Sequence, residues 1–155
     1  MYNTCIEFET QEKQMAYMSQ ERKQQRAPII KAILKKYGVK GSLAVRNHST
    51  LVLNIKSGSI DFIENYIETD NKLVHGGKMN QDQIDYIRKN KSLDVNPYWF
   101  KEHYTGTAKE FLTEIFDAMY GSDYFDESDA QVDYFHCSHY VSVNIGSWDK
   151  PYTVV

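Results

Sequence analysis

The sequence predicts a single α+β domain, with helices packed on a small antiparallel sheet, and three observations predict it. Apolar residues recur at helical spacing in Pro28–Tyr37 and Thr107–Met119. They alternate at strand spacing in Ser42–Asn47, Thr50–Lys56 and Cys137–Asn144. A chain of 155 residues is also the size of one ordinary domain, which buries roughly two-thirds of its unfolded surface without staples. With 41% apolar residues and aromatics spread along its length, the chain is expected to fold rather than stay disordered. It divides into a basic, Gln-rich helical segment over residues 1–27 and one α+β domain over residues 28–155, with no repeats or low-complexity tracts.

Residues 10–37 are expected to be helical with a discontinuity at Pro28. Gln11–Arg26 has only Met15, Ala16, Tyr17 and Met18 as an apolar cluster, the pattern of a solvated or partner-dependent helix. Beyond Pro28, which suits a first helical turn, Ile29, Ile30, Ile33, Leu34 and Tyr37 form one apolar face, and Gly38 supplies the stop. Leu43 and Val45, then Leu51, Leu53 and Ile55, mark two strands joined by Asn47-His48-Ser49 as a hairpin. Ser57-Gly58-Ser59 is expected to cap a helix carrying Ile60, Ile63, Tyr66 and Ile67. Asn80 with Gln83 predicts a capping box for a short helix whose inward residues are Ile84 and Ile87. Leu93–Phe100 reads as a short strand ended by Pro97. Thr107 with Glu110 predicts a second capping box, opening a helix with Ala108, Phe111, Leu112, Ile115, Phe116 and Met119 inward as far as Gly121. The closing strand, Cys137–Asn144, places His139, Val141, Val143 and then Ile145 on one face.

Charge is segregated along the chain. Glu110–Asp149 holds nine acidic residues and no Lys or Arg, whereas Lys13–Arg46 holds nine basic ones. Residues 1–109 carry 17 basic and 12 acidic groups, and residues 110–155 carry 1 and 9, so a net charge of −3 conceals halves of +5 and −8. Such asymmetry bears on partners rather than on fold. Tyrosine is over-used, at 12 residues against 7 Phe and 2 Trp, and suits interfaces because it offers rigid contact area with a polar tip.

No catalytic or cofactor motif accompanies these features, and the chain is expected not to be an enzyme and to need no cofactor. Two cysteines, Cys5 and Cys137, make no disulfide framework and point to a reducing compartment. No secretory signal opens the chain and no apolar run approaches the roughly 18 residues that span a bilayer, so a cytoplasmic location and no membrane partner are expected. In His136-Cys137-Ser138-His139, a strand turns only Cys137 and His139 to one side, too few ligands for zinc, and no CxxC or HExxH pattern supplies the rest. A Cys137 inside a strand is expected to be buried and inert as a nucleophile. Gly76-Gly77-Lys78 lacks the spacing of a phosphate loop, and the run from Asp126 lacks the ligand order of an EF-hand.

The order of helix, short hairpin, Ser-Gly turn, helix, late acidic helix and closing strand resembles the small domains associated with large polyvalent proteins of phages and conjugative plasmids. The residues that carry the resemblance are PIIKAILKKYGVKGSLAVRNHSTLVLNI, SGSIDFIENY and YVSVNIGSWDKPY, covering residues 27–68 and 134–152. The resemblance brings no catalytic residues. It implies a mobile-element origin, a bacterial host cytoplasm, and a protein that blocks a host nuclease, restriction or CRISPR complex.

The expected function is therefore that of a non-enzymatic interaction protein, an inhibitor of a host defence complex. Carboxylates interleaved with rings imitate a phosphate backbone and would occupy a basic surface on a protein or nucleoprotein partner. The expected partner-binding residues are Glu114, Asp117, Tyr120, Asp123, Tyr124, Asp126, Glu127, Asp129, Asp133 and Tyr134. The alternative is an accessory nucleic-acid-binding module that uses Arg22, Lys23, Arg26, Lys31, Lys35, Lys36 and Lys40, since phosphate contacts need only positive charge presented on a surface.

Overall fold

Ten elements follow one another in the computed structural model, which describes residues 16–72, 79–126 and 137–155. They are α1 (Gln20–Tyr37), β1 (Val39–Arg46), β2 (Thr50–Gly58), α2 (Phe62–Lys72), α3 (Gln81–Asn90), β3 (Leu93–Val95), α4 (Phe100–His103), α5 (Gly106–Tyr120), β4 (Tyr140–Ile145) and β5 (Thr153–Val154). The fold is α+β and single-domain, as the periodicities predict.

The sheet is mixed rather than purely antiparallel. Its order is β1-β2-β4-β3, with β5 also joined to β2. The β1–β2 hairpin and the β3–β4 pair are antiparallel, but β4 and β5 run parallel to β2. Period-two alternation reports which face a side chain takes, and it carries no information on the direction of a neighbour that returns after a long crossover. The hairpin turn places Asn47 and His48 at φ of 55° and 56°, the left-handed conformation that tight hairpin turns require.

Register assembles the core in rows. Leu43, Leu53, Val143 and Val95 stand side by side across β1, β2, β4 and β3. They join Leu51, Ile55, Val141 and Ile145 against Ile30 and Leu34 of α1, Phe62 and Ile67 of α2, and Phe111, Leu112, Ile115 and Phe116 of α5. The neighbouring row, Ser42, Asn54, Asn144 and Asp94, faces the other way, and Asn144 donates to the Asn54 side chain at 3.1 Å. One face of the sheet is thus apolar and helix-covered, and the other is mixed, with Thr50 and Val52 buried beside polar Ser42, Asn54 and Asn144.

Several boundaries differ from the expectation for local physical reasons. α1 runs unbroken through Pro28, an exposed position, so the helix crosses residues 27 and 28 without interruption. A proline at this depth costs the helix one hydrogen bond, but α1 is held on both sides of it by buried Met18, Arg26, Ile30 and Leu34. α1 starts at Gln20, with Ser19 as its N-cap, rather than at residue 10. Its turns before Pro28 are docked through buried Arg26 rather than solvated, and residues 10–15 lie outside the described residues. Ser59 does not cap α2: its hydroxyl donates to the Tyr37 carbonyl at 2.7 Å, and Asp61 accepts from the Glu64 amide instead. α5 begins at Gly106, with Thr105 as N-cap and no side-chain cap bond, so the Thr107–Glu110 box does not form. Asn65 holds that end from outside, accepting from the Thr105 amide at 3.0 Å and donating to its carbonyl at 3.2 Å. The Asn80–Gln83 box forms as expected. β3 stops at Val95 because Asn96 turns the chain, accepting from the Tyr98 and Trp99 amides. β4 starts at Tyr140, and Cys137 makes only an isolated bridge to Asp126.

Candidate functional site

The oppositely charged segments of the sequence meet in the fold, because α1 packs on α5. Arg26, only 5% exposed, is at the centre. Its Nε donates to the Met119 carbonyl at 3.0 Å and its Nη2 to the Tyr120 carbonyl at 2.8 Å, satisfying carbonyls that the end of α5 leaves without a partner. The same guanidinium pairs with the Asp123 carboxylate. Arg22, one turn earlier, reaches the other Asp123 oxygen at 3.1 Å and the Ser138 hydroxyl at 2.8 Å. Burial alone would push the Asp123 carboxyl up; Arg26, then Arg22, more than offset this and hold it below the usual carboxylate range. Gly121 closes the arrangement. Its φ is +77°, and a Cβ there would lie 2.6 Å from Arg26 Nη2.

His139, 1% exposed, lies under this clasp. Nε2 is 3.0 Å from the Met119 carbonyl, so it carries the proton, and Nδ1 accepts from the Ser138 hydroxyl at 2.9 Å. Burial first, then the Arg26 and Arg22 charges, lower its pKa to about 4 against the Met119 carbonyl and Asp123, which act the other way. Ser138 and His139 are both buried, and the hydroxyl also accepts from Arg22. The pair is structural: no substrate atom reaches a nucleophile placed there. A second link joins the charged halves on the far side of α5. Lys36 Nζ donates to Glu114 at 3.0 Å, and the Tyr37 hydroxyl bonds the same carboxylate.

Beyond the clasp lies a cluster of tyrosines. Tyr98 comes from the turn after β3, Tyr120 from the end of α5, Tyr124 from the segment after it, and Tyr140 from the start of β4. The Tyr120 and Tyr124 rings are 4.5 Å apart, and Tyr124 meets the His139 ring edge-on at 5.4 Å. Burial, then the proximity of Tyr98, Asp126 and Cys137, pushes Tyr120 up to about 12; Tyr124 is likewise pushed up to about 12 by burial and then by Asp126. Burial raises the Cys137 thiol above its ordinary value, more than the neighbouring Tyr140 hydroxyl lowers it, so Cys137 is no activated nucleophile. The outer rings are open to solvent: Tyr98 is 79% exposed, Tyr140 50% and Phe125 40%.

Of the expected partner-binding residues, Tyr120, Tyr124 and Asp126 are in this cluster. Asp123 and Glu114 are engaged by α1, and Asp117 is exposed on α5. Glu127, Asp129, Asp133 and Tyr134 lie outside the described residues, as does His136 of the expected weak metal motif. Among the described residues no group of three or more His, Cys, Asp or Glu side chains is placed to hold a metal, and no helix is long and apolar enough to cross a membrane. Of the basic residues, Arg22, Arg26 and Lys36 are committed to Asp123 and Glu114. Lys31, Lys35 and Lys40 are exposed and have no ion pair among the described residues. Tyr98 and Tyr140 are not among the residues expected from the sequence. Tyr140 was legible as the bulky residue on the polar side of an alternating strand; Tyr98 carried no local signal. Comparison of the chain with protein-family models, with curated proteins and with solved structures finds no match in any of the three.

Proposed function

We propose that this protein acts by binding a protein partner, without catalysis, through the tyrosine-rich end of the fold. One observation carries the reading. Tyr120 and Tyr124 pack against each other at the end of α5, within electrostatic range of Tyr98 and Asp126, as is Tyr140, and Tyr98 and Tyr140 are open to solvent. Rings anchored at their base and exposed at their tips contribute contact area at low entropic cost, and aromatic residues are enriched in interface cores. The adjacent carboxylates Asp117 and Asp126 favour a partner with a basic surface. The resemblance to domains of phage and plasmid proteins extends the proposal to a host defence complex in a bacterial cytoplasm, which the protein would inhibit.

Asp123 is a poor test of this idea, because reversing it to Lys breaks the clasp with Arg26. The informative variant is Tyr98→Ala with Tyr140→Ala, which removes exposed rings and leaves the core intact. A tagged pull-down from bacterial lysate is expected to lose its partner with this variant while the circular dichroism spectrum stays unchanged. Equal recovery by wild type and variant would sink the proposal.

The nucleic-acid alternative retains Lys23, Lys31, Lys35 and Lys40 as available charges. It predicts a steep loss of affinity with added salt.

A further inference from the structure

We infer that the free edge of β1 is a docking site for an extended acidic peptide segment of another protein, which adds as a strand beside it. Among the described residues β1 is the terminal strand of the sheet, and it is eight residues long. Along such an edge, alternate N–H and C=O groups point away from the neighbouring strand and are open to pairing. A cleft of about 460 Å³ runs between this edge and the second half of α1. Its floor is apolar, with Leu34 and Val39, and its rim carries Lys31, Lys35 and Lys40. None of the three lysines has an ion pair among the described residues, whereas Arg22, Arg26, Lys36 and Arg88 each do.

The chemistry selects the occupant. A second copy is disfavoured, because β1 carries Lys40 and Arg46 with no acidic residue and the cleft rim adds Lys31 and Lys35, so two paired copies gather positive charge with none to offset it. Like charges facing each other across such a pair destabilise it. A nucleic acid would neutralise the lysines but would leave the strand edge unpaired, and no aromatic ring lines the cleft to stack a base. An extended segment with alternating acidic and apolar residues satisfies all three features. Its backbone pairs with β1, its apolar side chains cover Leu34 and Val39, and its carboxylates meet Lys31, Lys35 and Lys40. This is strand addition, with main-chain bonds supplying affinity and side chains supplying selectivity.

The test is a titration of ¹⁵N-labelled protein with a blocked peptide of about eight alternating Glu and Val residues, one strand's length. Shifts and exchange protection are expected in the amides of residues 39–46. The Lys31→Glu, Lys35→Glu, Lys40→Glu variant is expected to bind at least about tenfold more weakly, as the sum of three reversed exposed pairs, with an unchanged circular dichroism spectrum. The same peptide with alternate amides N-methylated cannot pair and is expected not to bind. The proposal is overturned by absence of peptide binding, by shifts that map elsewhere, by equal binding of the methylated peptide, or by an oligothymidylate that occupies the cleft more tightly than the peptide.

Discussion

Arg26 and Asp123 stand 97 residues apart in sequence and form one ion pair at the carboxyl end of α5. The arginine comes from the basic half of the chain and the aspartate from the acidic half. Part of the charge asymmetry in the sequence is therefore spent inside the fold, joining α1 to α5. Among the described residues, what remains for partners includes the tyrosine-rich end near Asp126 and the lysine-rimmed cleft beside β1.

Replacing Arg26 is expected to be destabilising. Arg26→Met keeps the volume but orphans the Tyr120 carbonyl, leaves the Met119 carbonyl with His139 alone and leaves Asp123 with Arg22 alone. The Asp123 side chain is 53% exposed, so the ion pair itself adds little, and the main cost is the unpaired, partly buried carbonyl, about 1–3 kcal/mol. Arg26→Lys is expected to recover little, since one ammonium cannot reproduce the planar fork that reaches the Arg22, Met119 and Tyr120 carbonyls and the Asp123 carboxylate. Urea denaturation with an unchanged m-value would measure both.

Gly121→Ala is expected to lower stability by roughly 1–3 kcal/mol, because it combines a left-handed backbone with a clash. The added Cβ would fall 2.6 Å from the guanidinium of Arg26. In an Arg26→Ala background the clash term disappears, so the two effects should be non-additive in a double-mutant cycle.

Acid is expected to weaken the fold in two stages. His139 is held neutral, with its pKa lowered to about 4 from an ordinary 6.5. Between those values the unfolded chain binds a proton that the folded chain refuses, so stability falls as pH drops from 7 to 4, by on the order of 3 kcal/mol. Asp123 acts below that range. Its carboxyl sits below the ordinary 3.8, so its contribution is complete above that value and is lost as pH falls further. Thermal melts across pH 3–8 would show the decline, and His139→Gln is expected to flatten its upper part. A wild-type profile flat between pH 7 and 4 would contradict the burial of a neutral His139.

Much of the fold was legible in the sequence, since periodicity reports burial directly. The inward faces of β2, α5 and β4 follow from Leu51, Leu53 and Ile55, from Phe111 to Met119, and from Val141 to Ile145. Strand direction was not legible, because β4 pairs with β2 across a long crossover. Helix starts were misplaced where tertiary groups took over the capping, as Asn65 does at Thr105. The charge pattern was visible but its destination was not. A run of like-charged residues looks the same whether it faces solvent, a partner or another part of its own chain. Only the packing of α1 on α5 shows that Arg22, Arg26 and Lys36 meet Asp123 and Glu114.

The central claim is that binding runs through Tyr98 and Tyr140 to a protein. The most direct measurement is a tagged pull-down from bacterial lysate with and without nuclease, read by mass spectrometry for wild type and for Tyr98→Ala with Tyr140→Ala. The account predicts one protein complex that survives nuclease with wild type and is lost with the variant. Recovery of nucleic acid, with protein partners released by nuclease and no effect of the two substitutions, would contradict it.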